Sequence, residues 1–199
     1  MKNHYRITLL SALVGASLLG CTAVEEKTVT PDASMVEQSR AAGKALVMQL
    51  GATLKQEMAT NGPVAAVDVC KEAAPRIAAE VSSKTSMQVA RVSTQPRNHA
   101  SGTPDAWEQA ALAQFAQRMA KGESAEAMEF TQVVTEPKGK YLRYAKAITM
   151  QPMCLTCHGP VAYIPDGVKA KLAANYPNDK ATGYNVGDLR GAVVVKRAL

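Results

Sequence analysis

The chain has 199 residues, 47% of them hydrophobic, with 23 basic and 17 acidic side chains. That length and composition fit one domain with a sizeable core and exclude a fibrous or disordered chain. The net charge of +6 is a mild excess with no Lys/Arg block and no interleaved aromatic and basic residues, so nucleic acid is not an expected partner.

Residues 1–20 read as a targeting segment: Lys2 and Arg6 open it, "ITLLSALVGASLL" (7–19) is apolar, and Gly20 precedes Cys21. The apolar run is shorter than the roughly 20 residues of a membrane-spanning helix. "LLGC" (18–21) resembles the lipobox of bacterial lipoproteins, whose cysteine becomes the lipidated first residue; an ordinary secretory signal is the plainer alternative. The expected organisation is a lipoprotein signal peptide over 1–20, a lipidated tether over 21–34 beginning at Cys21, and a single domain over 35–199. The expected address is the periplasm, with contact to the membrane through the lipid anchor. Thr22 stands where an aspartate would resemble the inner-membrane retention signal, which points to the outer membrane. Without residues 1–20 the net charge falls to +4.

The first structured segment opens with "SMVE" (34–37), a capping-box pattern, and continues as a ladder of Ala42, Leu46, Leu50, Leu54 and Met58 before "NGP" (61–63). A second helical pattern follows Pro63, and Pro75 predicts a break or kink near residues 71–74, because proline removes an N–H and crowds the carbonyl four residues back. "SMQVARVS" (86–93) alternates like a strand, and "TQPRNHASGTP" (94–104) has the composition of a loop. Thr103 and Pro104 start a helix with Trp107, Ala111, Phe115 and Met119 on one face. Residues 127–136 and 140–149 form a hairpin; a short helix (166–176) and a last strand (189–198) complete the chain. This order predicts an α+β domain with an antiparallel sheet and long N-terminal helices.

"CLTCH" (154–158) carries the chemistry. Two thiols spaced by two residues can form thioethers with the two vinyl groups of one haem, and the adjacent histidine falls under the iron. One covalently bound haem c is therefore the expected cofactor, with Cys154 and Cys157 as its attachment points and His158 as proximal iron ligand. A zinc site needs four ligands and has no second cysteine pair here; a thioredoxin-like pair belongs in a βαβ setting.

The sixth iron ligand is an open question on the residues alone. Cysteine counting leaves Cys70, which pairs with nothing once lipid and haem have claimed the others, though most free cysteines are small buried hydrophobes. After His158 there are 41 residues without Met, His or Cys, so any such ligand lies upstream. His4 leaves with the signal segment, and His99 is the other histidine. Met58 and Met119 read as core, while Met150 and Met153 adjoin the attachment site. Cys70, a methionine, His99 or an open position all remain. Ala66, Val67, Ala73 and Ala74, three and four residues from Cys70 on a helix, are small and would let a flat porphyrin approach. Arg91, Arg97, Lys140 and Arg143 are candidates to balance haem propionates.

"AVDVCKEAAPRIA" (66–78), "RVSTQPRN" (91–98) with "PDAWE" (104–108), and "CLTCHGP" (154–160) together resemble a family of periplasmic c-type haem domains with a PAS-like fold. That family was catalogued as a domain of unknown function and is often found in front of histidine kinases and chemoreceptors. In at least one member the iron resembles a thiolate-ligated centre, with the cysteine of the first motif opposite the histidine of the third. The resemblance implies Cys70 as distal ligand across from His158. Where the family has a proline after the Arg-Asn pair this chain has His99, which keeps His99 as a rival distal ligand.

The expected function is that of a lipid-anchored periplasmic monohaem protein, not an enzyme, that transfers electrons or senses redox state or a small ligand. No kinase segment follows residue 199, so sensing implies a separate periplasmic redox or signalling partner. The alternative is a peroxidase-like haem enzyme with an open sixth site.

Overall fold

The computed structural model describes residues 30–199, so the signal segment, Cys21 and all but the end of the expected tether lie outside the described residues. Helix α1, Ala33–Thr60, is capped by Asp32 and not by Ser34: Asp32 Oδ1 accepts from the Ser34 N–H at 2.9 Å and the Met35 N–H at 3.1 Å. A carboxylate is favoured at the positive end of a helix, and Glu37 is engaged by Arg40 instead of closing a box. Helix α2, Gly62–Asp68, starts on Gly62 at φ +80°, a left-handed conformation that suits glycine, with Pro63 in its first turn.

The expected kink takes a specific form. Val69–Ala73 is a single π turn in which the Ala74 N–H bonds the Val69 carbonyl, and helix α3, Ala74–Thr85, continues from it. The wider turn admits Pro75, which has no N–H to give and would crowd the carbonyl four residues back.

Four antiparallel strands, β1 (Gln88–Val92), β2 (Glu129–Glu136), β3 (Gly139–Thr149) and β4 (Leu189–Ala198), form one sheet in the order β1-β4-β3-β2. The last strand thus lies between the first and the hairpin. Alternation along the strands divides two layers. Val89, Tyr144, Val193 and Val195 pack under α1 and α3, beside Leu46, Ile77 and Val81. Ala145, Ala147, Ala192 and Val194 pack on the other face against Leu112 and Phe115 of helix α5, Ala106–Ala120. This helix is capped by Asp105 in a box with Glu108, two residues beyond the expected Thr103, because Thr103 turns its hydroxyl back to the His99 carbonyl. His99–Gly102 is one helical turn, α4, inside the stretch expected as loop. Leu155–His158 is α6 and Asp166–Asn175 is α7. The α+β class, the antiparallel sheet and the long N-terminal helices stand as expected. Among the described residues no helix is long and apolar enough to cross a membrane.

One irregularity interrupts the sheet. Ile148 pairs with Gly191 but Thr149 pairs with Leu189, so Arg190 is an extra residue in β4. At the bulge Gly191 has φ +156°, and a Cβ there would lie 2.2 Å from the Val92 carbonyl oxygen. Gly191→Ala is expected to destabilise the fold by about 1–3 kcal/mol, the usual range for forced overpacking. Thermal or urea unfolding checks it; an unchanged midpoint would mean that β1 and β4 can separate there at no cost.

Candidate functional site

A cavity of about 230 Å³ opens at the bulged end of the sheet, between α1, α2 with its π turn, the loop after β1, and the Cys154–His158 turn. Leu50, Leu54 and Met58 form its α1 wall, so Met58 is cavity wall and not core, as the four-residue ladder had implied. A ladder of that spacing marks one helix face, and this face passes from the core at Leu46 to the cavity at Met58. Met119, by contrast, does pack on the α5 core.

Cys154, Cys157 and His158 all line the cavity. Pro152–Cys154 is a 3₁₀ turn leading into α6, and this short right-handed path puts the two thiols and the imidazole on one side. The cysteines Cys70, Cys154 and Cys157 are free of disulfides. Burial pushes the Cys157 thiol up, against an opposing pull from Arg97. His158 Nδ1 lies 2.7 Å from the Ala181 carbonyl oxygen. A carbonyl can only accept, so Nδ1 carries the proton and Nε2 keeps its lone pair, without a hydrogen-bond partner among the described residues. Burial, and then Arg97 and Arg190, hold the imidazole well below its ordinary range; the bond to Ala181 pulls weakly the other way. The ring is therefore neutral at neutral pH.

Cys70 lines the cavity from the π turn. Its segment is tied to α7 by Asp68, which accepts from Asn175 Nδ2 at 3.1 Å and pairs with Lys171 at 3.0 Å. Of the small residues around Cys70, Ala66 and Val67 border the cavity, but Ala73 and Ala74 pack into the core beneath α1. The extra residue of the π turn rotates them off the Cys70 face, so for those two smallness serves packing. His99 is exposed on α4, outside the cavity lining, and its Nε2 meets the Asn178 carbonyl at 2.7 Å. Met150 and Met153 do line the cavity.

Three guanidinium groups line the same space. Arg91 and Arg97 are there, as expected of propionate partners; Lys140 and Arg143 are not. Arg143 is buried on the opposite face of the sheet, with Glu108 at 3.0 Å and Asp105 at 2.7 Å. Arg190 is the third, and no pattern in the sequence announced the bulge that turns it inward. Arg91 keeps accessible surface but sits inside the concavity, where burial pushes its guanidinium below the usual range and Cys70 and Tyr176 oppose that push. Arg190 is lowered by burial too, and by Arg97 and Arg91. Of these three, Arg97 alone has a carboxylate partner among the described residues, Asp179 at 3.0 Å.

Tyr176, just past α7, was also missed. It is 7% exposed, borders the cavity, and its hydroxyl is buried without a partner among the described residues. Burial and the neighbouring Cys70 sulfur push its pKa up to about 12, so it stays a donor.

The donor set fits the group that the Cys-x-x-Cys-His run implies: two thiols beside a neutral imidazole with a free Nε2, a third sulfur on another wall, and excess positive charge for a dianion. Among the described residues no three His, Cys, Asp or Glu side chains gather as ligands of a bare ion.

A family model described as Tll0287-like matches residues 23–197. The crystal structure of the cyanobacterial heme-protein Tll0287 is similar to this chain with a TM-score of 0.57 and 28% identity, over 83% of this chain and 92% of that one. No curated protein matches. The family match includes every wall of the cavity, from α1 to β4, and the chain belongs to the Tll0287-like family.

Proposed function

We propose that this chain is a monohaem c-type protein, anchored by lipid at Cys21 on the periplasmic side of the outer membrane. It transfers electrons, or reports redox state or a small ligand to a partner protein, and is not an enzyme. The single observation that carries the reading is the Nδ1 bond from His158 to Ala181, which leaves Nε2 free in a cavity bordered by Cys154, Cys157 and Cys70. The similar cyanobacterial structure, itself of a heme-protein, supports the same group here. Haem bound there supplies one-electron exchange between ferric and ferrous iron.

The residues have distinct parts in this reading. Cys154 and Cys157 hold the group covalently, and His158 is its proximal ligand. Cys70 is the distal ligand, and its thiolate favours the ferric state and a low potential. Arg91 and Arg190, without carboxylate partners among the described residues, balance the propionates. His99, exposed on α4 and engaged with the Asn178 carbonyl, has no part at the iron in this reading.

The deciding experiment compares wild-type and Cys70→Ala spectra of the purified protein. The wild type is expected to show a low-spin thiolate signal that is absent in the variant, and Cys70→Met is expected to raise the potential. An identical spectrum in Cys70→Ala ends the distal assignment, and a high-spin ferric wild type would favour the peroxidase-like alternative. Replacing Cys154 and Cys157 together by alanine should abolish haem retention on a denaturing gel.

Tyr176 adds an independent check. Its hydroxyl borders the cavity without a partner among the described residues and would be free to donate to the bound group, so Tyr176→Phe should cost the haem-loaded protein about 0.5–1.5 kcal/mol, the net worth of one hydrogen bond. The same change in protein lacking haem should cost nothing or stabilise it, because there it removes a buried unpaired hydroxyl. Melting curves of the four samples measure the difference.

A further inference from the structure

Balancing a propionate does not account for Arg97. Its side chain is buried, and its hydrogen bonds run to protein: Nε to Asp179 Oδ2 at 3.0 Å, and Nη2 to the carbonyls of Cys157 at 2.5 Å and Ala181 at 3.2 Å. The Ala181 oxygen is the same one that accepts from His158 Nδ1 at 2.7 Å. One carbonyl therefore carries both the guanidinium and the imidazole. Asp179 closes the arrangement, since its other oxygen accepts from the Ala181 N–H at 2.8 Å. The carboxylate that holds Arg97 also holds the peptide against which His158 is oriented.

We infer that Arg97 and Asp179 are positioning residues for His158, which set its tautomer, its ring orientation and its electron donation, and through them the reduction potential of iron bound at Nε2. The inference rests on the reading of His158 as proximal ligand. Hydrogen bonds to the second nitrogen of a ligating histidine fix its orientation and raise its basicity. A guanidinium sharing the acceptor draws on the same oxygen, so the Nδ1–H bond is weaker and the imidazole donates less. The positive charge beside the cavity also disfavours the more positive ferric state. Both effects raise the potential and oppose the thiolate of Cys70. Asp179 does the reverse, by partly neutralising Arg97.

The two members of one ion pair are thus expected to shift the potential in opposite directions. A clamp that served stability alone would give both changes the same sign. This is the readout that separates tuning from support.

The test uses the full protein with covalent haem, at fixed pH, in wild type, Arg97→Gln, Arg97→Lys and Asp179→Asn. Redox titration is combined with the magnetic resonance of the His158 Nδ1 proton. Arg97→Gln is expected to raise the ferric-to-ferrous ratio at a fixed poise at least tenfold, a fall of 59 mV for one electron. Asp179→Asn is expected to lower that ratio. Arg97→Lys, which keeps the charge without the fork, should recover more than half of the shift while the Nδ1 proton stays displaced. Shifts of the same sign in Arg97→Gln and Asp179→Asn, or no shift in either, overturn the inference. If Arg97→Gln fails to accumulate with haem, Asp179→Asn decides alone, and an unchanged or lowered potential there overturns it. His158→Gly separates the two levels. A wild-type spectrum in that variant removes the ligand reading and the inference with it. A lost low-spin spectrum there, beside unmoved potentials in the other variants, overturns the inference alone.

Discussion

The 2.7 Å bond between His158 Nδ1 and the Ala181 carbonyl is the constraint on which the site depends, because it decides which ring nitrogen keeps a lone pair. It does not stand by itself. The Tyr184 N–H bonds the His158 carbonyl at 3.0 Å, and the Gly183 N–H bonds the Gly159 carbonyl at 2.9 Å, so residues 183–184 run along the end of the motif turn. The Lys180 N–H meets the Pro96 carbonyl, and His99 meets the Asn178 carbonyl. A segment without regular secondary structure is thus held from both sides by hydrogen bonds to its backbone. Without that hold the imidazole could rotate, and its free nitrogen would have no fixed direction.

The wall that carries Cys70 is built by different means. Cys70 sits in a π turn, whose extra residue costs a regular hydrogen bond and persists because Pro75 cannot supply one in any case. The same insertion turns Ala73 and Ala74 into the core while Cys70 stays on the cavity. Proline and cysteine are therefore linked through backbone geometry: the one relieves the helix of its normal repeat, and the other occupies the place that this opens. The tie from Asp68 to Lys171 and Asn175 then sets the distance between this wall and Tyr176.

Much of this was legible from residues alone where the signal is local. The Cys154–His158 run is contiguous, the hairpin strands alternate, and Pro75 announced a disturbance near Cys70. What could not be read is convergence. Ala181 contributes a backbone carbonyl, which leaves no mark on residue identity. Tyr176 and Arg190 reach the cavity through tertiary placement, and nothing around either distinguishes it from a surface side chain. Met58 shows the limit of periodicity, since a stripe that faces a core and one that faces a cavity have the same spacing. His99 shows the converse, a residue with the right chemistry on a short helical turn, exposed and outside the cavity lining.

Arg190 also shows how a single irregularity in pairing can set the charge of a site. Along β4, Ala192 and Val194 face α5, and strict alternation would send Arg190 to that same apolar layer. The skipped pairing between Ile148 and Thr149 resets the alternation: Leu189 packs with the α5 cluster, and Arg190 turns to the cavity. There its guanidinium lies 5.6 Å from the Tyr184 ring and donates to the Gln95 carbonyl at 3.2 Å. Gly191 permits the turn, since a side chain at that point would strike the Val92 carbonyl. A regular strand would have turned the guanidinium toward the apolar layer against which Leu189 packs instead, and burying a charge there is costly. The bulge instead places that charge where an anionic cofactor would need it, which is why the irregular end of the sheet, and not its regular middle, carries the site.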